Sequence, residues 1–117
     1  MKHLFPALLL ATTAAFASEF PLYPGAVADS QIAGALRKIY PDSAAYTSTD
    51  PFEKIHDFYK KLGAVDKTRP GVPSNSTEKY STMTFPGKPF TVQLSWNVND
   101  KKHGTIIQFV NKPTAPR

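Results

Sequence analysis

Three histidines and no cysteine limit the chemistry open to this chain of 117 residues. His3 stands in an N-terminal stretch that reads as a leader, which leaves His56 and His103. A protein metal site needs three or four converging ligands, often paired at i, i+4 on a helix. His56 has Asp57 as its direct neighbour, and adjacent helical residues point apart. His103 stands beside Gly104 in a polar stretch read as a hairpin loop. The expectation is no metal and no cofactor. Nucleophilic catalysis asks for Ser, Thr or Cys next to a base held by an acid. None of the serines sits in G-x-S-x-G. A set assembled in space around His56 or His103 stays open, and with it a small hydrolase. Glu53 and Asp57 stand at i, i+4, but an acidic first helical turn favoured by the helix dipole accounts for them.

Residues suited to binding are more numerous. Phe90, Val92, Leu94, Trp96 and Val98 alternate with Thr91, Gln93, Ser95 and Asn97. Such a pattern is a strand with a dry face and a wet face. Trp96 and Phe90 invite a sugar-stacking reading, yet they share the dry face with Val92 and Leu94 and so belong to the core. Tyr80 has Thr82 and Thr84 for company and is the better surface aromatic. Tyr80, Gln93, Ser95 and Asn97, with Arg69 and Asn75 from the long stretch 63–79, are therefore the candidate ligand- or partner-binding residues of a non-catalytic binding or accessory module. Its partner would be an envelope protein or a small molecule. A further alternative is an inhibitor of a cell-wall or foreign hydrolase that inserts the Pro70–Thr77 loop, stiffened by Pro70 and Pro73, into a cleft. Asn75-Ser76-Thr77 spells a glycosylation sequon, a three-letter match that is weighed as chance.

These residues need elements to position them. Asp29 or Ser30 can cap a helix over about 30–40, with Ile32, Ala35, Leu36 and Ile39 at helical spacing and Pro41 as its end. Ala44 to Thr49 reads as a strand. Asp50 as N-cap, Pro51 at N1 and Glu53 at N3 open a helix over 51–62. Phe52, Ile55, Phe58, Tyr59 and Leu62 form its apolar stripe. Lys60 and Lys61 suit its last turn, and Gly63 stands at the C′ position. The stretch 63–79, broken by Pro70-Gly71 and Pro73, reads as loop with room for a short strand near Ala64-Val65. Strands over 79–85, 90–98 and 105–110 follow, joined by a Pro86–Pro89 turn and a polar loop at 99–104. The expected fold is α+β: a two-layer sandwich whose antiparallel four-stranded sheet (a β-α-β-β-β core) is covered by helix 51–62, with a short N-terminal helix around 30–40.

The first 17 residues have the order of a secretory signal: basic Met1-Lys2-His3, an apolar run, then Ala15-Phe16-Ala17 before Ser18. The run is too short to stay across a bilayer. The reading is a signal peptide over 1–17 and a single domain over 18–117, with a flexible tail at 111–117, exported by the general secretory route to the periplasm or beyond. Without cysteine the domain has no disulfide, and its core must hold it alone. The net charge of +5 drops by one when Lys2 leaves, and the remaining excess is scattered. So diffuse a charge argues against nucleic acid as a partner.

Tyr40-Pro41-Asp42-Ser43-Ala44, Tyr46-Thr47-Ser48-Thr49-Asp50 and Phe58-Tyr59-Lys60-Lys61-Leu62 together resemble an uncharacterised group of small bacterial exported proteins. Their pattern is a Y-P-x-A turn, a strand ending in T-x-D and a helix ending in F-Y-K. The resemblance spans about residues 40–62 and its motifs are structural. It implies location and fold, and lends neither activity nor site residues.

Overall fold

The structure is a computed structural model and describes residues 20–111. The expected leader, and the expected tail apart from Asn111, lie outside the described residues; Asn111 itself ends the last strand, paired with Phe90. The elements are β1 (Val27–Ala28), α1 (Ser30–Arg37), β2 (Ala44–Ser48), α2 (Phe52–Lys61), β3 (Val65–Asp66), β4 (Glu78–Thr84), β5 (Phe90–Asn97) and β6 (Thr105–Asn111). The class is α+β, as expected, but the sheet has six strands in the order β1-β2-β6-β5-β4-β3. All its pairs are antiparallel. The two extra strands are the outermost ones, each two residues long. Two residues cannot display a period, so alternation gave no signal for them.

Helix α2 forms where its stripe requires. Phe52, Ile55 and Tyr59 are buried. They meet Met83, Val92, Leu94, Ile107 and Phe109 of the sheet in one cluster, against which Phe58, Phe85 and Trp96 also pack. Register puts these sheet residues on one face: Met83 opposite Val92, Val92 opposite Phe109, Leu94 opposite Ile107. Each such side chain contributes roughly 1.5–3 kcal/mol by leaving water, so this layer dominates stability. Tyr59 is fully buried, and burial pushes its phenol up.

The ends of α2 differ in how they follow the sequence. Gly63, at φ +109°, stands just past the cap residue Leu62. The Ala64 N–H donates to Tyr59 O and the Gly63 N–H to Lys60 O, both at 3.0 Å. That pair of bonds is the Schellman closure expected of a C′ glycine. At the other end Pro51 is the cap residue and no side chain caps the helix. Asp50 is engaged instead by the Tyr23 hydroxyl, which donates to Oδ2 at 2.5 Å. This bond to the carboxylate, with burial, pushes the Tyr23 phenol up to about 12. The capping box expected here is replaced by a tertiary contact.

The opposite face of the sheet is only partly covered. Ala45 and Val110 point away from the main cluster by alternation, yet each is 2 % exposed. Ala33 of α1 is buried as well and also stands outside that cluster. Helix α1 thus covers the β2 end of this second face, a third partial layer that the two-layer expectation lacked. Asp29 caps α1, accepting from the Ile32 N–H at 2.9 Å.

Candidate functional site

Two surfaces gather polar side chains. The first is a cleft of about 370 Å³ between α2, β4 and the loop after β3, lined in part by Phe52, His56, Asp66, Thr68, Tyr80 and Ser81. Helix α2 sets His56 at the edge of its stripe, and β3 sets Asp66 facing it. His56 Nε2 lies 2.8 Å from Asp66 Oδ2. The Ser81 hydroxyl donates to the same oxygen at 3.3 Å, and the Thr68 N–H donates to Oδ1 at 2.8 Å. The Thr68 hydroxyl reaches Ser81 at 3.3 Å and accepts from the Thr82 N–H at 3.0 Å. Burial acts to raise the Asp66 carboxyl, but hydrogen bonds from Thr68 and His56 outweigh it and hold the group at about 2.

The order of these groups decides what they can do. A hydrolytic triad runs serine, histidine, carboxylate, so that the imidazole takes the serine proton. Here the carboxylate stands between the hydroxyl and the imidazole. Ser81 is 4 % exposed and gives its proton to Asp66, not to His56. The set is built to tie α2 to the β3–β4 edge. Beside it Lys79 pairs with Glu53 and lies 5.2 Å over the Trp96 ring. That pairing is the leading cause of the lowered Glu53 carboxyl.

His103 is spent in a similar way. Its Nδ1 is 2.7 Å from Asp100 Oδ2, and its Nε2 is 3.6 Å from Asp29 Oδ2. It ties the β5–β6 loop to the start of α1, and its bond is the leading cause of the lowered Asp100 carboxyl. Among the described residues no group of three or more His, Cys, Asp or Glu could hold a metal ion.

The second surface is the outer face of β4, β5 and β6, which α1 leaves open. Cross-strand register forms rows there: Glu78 opposite Asn97, Tyr80 with Ser95 and Ile106, Thr82 with Gln93 and Gln108, Thr84 with Thr91 and Val110. Tyr80 is 38 % exposed. Burial, with the Glu78 carboxylate beside it, raises its phenol. Tyr80, Ser95 and Asn97 share a shallow depression of about 220 Å³ with Asp100, Gly104 and Ile106. Gln93 lies one row further on.

The structure therefore brings four of the six candidate binding residues onto one face. Arg69 and Asn75 are apart from them, exposed on the loop. Asn75 shapes that loop: its side-chain oxygen accepts from the Thr77 N–H and hydroxyl and from the Glu78 N–H. Part of the 63–79 stretch is stitched to β4, the Tyr80 N–H donating to Pro73 O at 3.2 Å and the Lys67 N–H to Thr82 O at 2.7 Å. Asp66, Thr68 and Ser81 are the site residues that sequence reasoning missed. Their signals were the short strand allowed near Ala64-Val65 and, for Ser81, the strand read over 79–85.

Comparison with known proteins finds no matching family model, no matching curated protein and no matching solved structure. Among the described residues no helix is long and apolar enough to cross a membrane.

Proposed function

We propose that this protein is an exported, non-catalytic binding or accessory module of the bacterial periplasm, working through the open outer face of β4, β5 and β6. One observation carries the reading: a three-stranded polar face is left uncovered while the cleft chemistry is locked into structural bonds. The leader-like first 17 residues support export, and the resemblance over residues 40–62 agrees with it. The test is capture from an envelope extract by the immobilised protein. The unaltered chain should retain a species, polymer or protein, that a Tyr80→Ala, Ser95→Ala, Asn97→Ala variant loses. Equal retention by both removes the face from the account. Replacing residues 70–77 by an Asn-Gly turn in the same assay separates the loop from the face, and capture lost there alone would favour the inhibitor reading.

A second reading rests on the His56–Asp66 pair, since a carboxylate-held imidazole beside a cleft can act as a general base on water. Turnover on a panel of esterase, amidase and glycosidase substrates, abolished by His56→Ala, would replace the binding reading with a hydrolase.

A further inference from the structure

The composition of the open face says what kind of ligand it takes. Its outward positions on β4, β5 and β6 are Glu78, Tyr80, Thr82, Thr84, Thr91, Gln93, Ser95, Asn97, Ile106, Gln108 and Val110. Charged residues make up 20 % of the chain, yet these strand positions hold one, Glu78, at the rim, with Asp100 joining them from the β5–β6 loop. An ordinary solvated face mixes Lys and Glu for solubility. Here hydroxyls and primary amides stand in their place. Val110 and the Thr91 hydroxyl are buried, so the accessible groups run from Thr82, Gln93 and Gln108 to Tyr80, Ser95 and Asn97.

Charge matching selects the occupant. An anionic partner would lose hydration on this face and find no cation among its strand positions to replace it. A cationic one would meet Glu78 at the rim and Asp100, whose carboxylate His103 already engages. A hydrocarbon surface would strand the amides without partners. A ligand of many neutral hydroxyls fits: each amide offers two donors and an acceptor, and each hydroxyl one donor and two lone pairs. The Tyr80 ring offers a flat apolar patch with a polar tip, suited to the C–H face of a sugar ring. The rows are also extended. Thr82, Gln93 and Gln108 are directly opposite one another on neighbouring strands, which spans about 10 Å across the sheet, and Gln93 to Asn97 adds about 13 Å along a strand. That footprint suits several linked sugars better than one.

We infer that the outer face of β4, β5 and β6 binds a neutral glycan strand through Thr82, Gln93, Gln108, Ser95 and Asn97, with Tyr80 stacked on a sugar ring. The inference rests on the binding reading above and names its ligand. Titration calorimetry of the full chain with chitohexaose, an uncharged N-acetylated hexasaccharide, tests it beside heparin hexasaccharide as the anionic control. Chitohexaose should bind and heparin should not. Tyr80→Ala and Gln93→Glu should each weaken binding about tenfold, the worth of one lost contact, with unfolding midpoints unchanged. Heparin binding as well as chitohexaose, or chitohexaose affinity indifferent to both substitutions, overturns the assignment. So does an absence of chitohexaose binding. If the face variant still fails to capture its species from envelope extract, that absence sinks the glycan alone. If capture is also unaffected, the binding reading falls with it.

Discussion

Asp66 shows how a residue with no sequence signature becomes a local keystone. One carboxylate takes hydrogen bonds from the Thr68 N–H and the Ser81 hydroxyl and faces His56. With its carboxyl at about 2, below the ordinary value near 4, the folded state binds fewer protons than the unfolded chain as acid is added. The stabilisation is therefore present above the ordinary carboxylate range and lost as pH falls from about 4 to about 2. Its side chain is 34 % exposed. After allowance for that screening, the contribution is about 1 kcal/mol. Urea unfolding between pH 6 and pH 2 should show the wild type losing about that much more stability than Asp66→Asn. Parallel curves would refute the role. His56 stood out in the sequence as an isolated imidazole, but its partner did not. Ten residues separate the two, and the two-residue strand that brings Asp66 into place has no period of its own. Tyr80, Gln93, Ser95 and Asn97 were legible together because alternation along β4 and β5 fixes which side chains share a face. Arg69 and Asn75 lay in a segment without alternation, so nothing in the sequence placed them in space.

At the scale of elements, the β5–β6 hairpin makes a close backbone approach to β2. Gly104 has φ +70°, and a Cβ there would stand 2.5 Å from the Ser48 carbonyl oxygen. The hairpin end thus lies directly on the end of β2, and the clamp of His103 between Asp100 and Asp29 holds it there. Gly104→Ala has to pay for a left-handed backbone and for a clash with main chain that cannot swing aside. It should destabilise by at least about 2 kcal/mol, read as a lowered urea midpoint. Gly63→Ala, with positive φ but open space around it, should cost about half as much. Equal costs would mean that Ser48 moves away and that the approach is loose. Helix α2 and the meander were readable because ten and seven or eight residues are long enough to show a period. The end of α2 was misread at Asp50, where capping propensity lost to the bond from Tyr23. That partner lies 27 residues earlier in the chain.

Across the whole molecule, the proline-bearing segment before α1 is part of the structure. Phe20 stacks on Phe109 with ring centroids 4.9 Å apart and meets Phe90 edge-on at 5.0 Å. Tyr23 is 5 % exposed, packs edge-on against Phe58 at 5.1 Å and bonds Asp50. Val27 and Ala28 then pair with β2. Residues 20–28 therefore run as a strap that touches β6, α2 and β2 in turn, closing one end of a core that has no disulfide to hold it. Its two rings pack on elements far away in sequence, so their loss is felt at the centre of the fold. A chain begun at Ser18, the cut expected from the leader pattern, keeps the strap whole. A chain begun at Ala26 loses both rings and should be less stable by about 3–5 kcal/mol, the cost of removing one buried aromatic and part of another. In a small cysteine-free domain, whose total stability is of order 5–10 kcal/mol, that is enough to populate unfolded chain at 37 °C. Comparing the two truncations by thermal unfolding decides the matter: a midpoint for the shorter chain within a few degrees of the longer one would show that the strap only decorates a core complete without it.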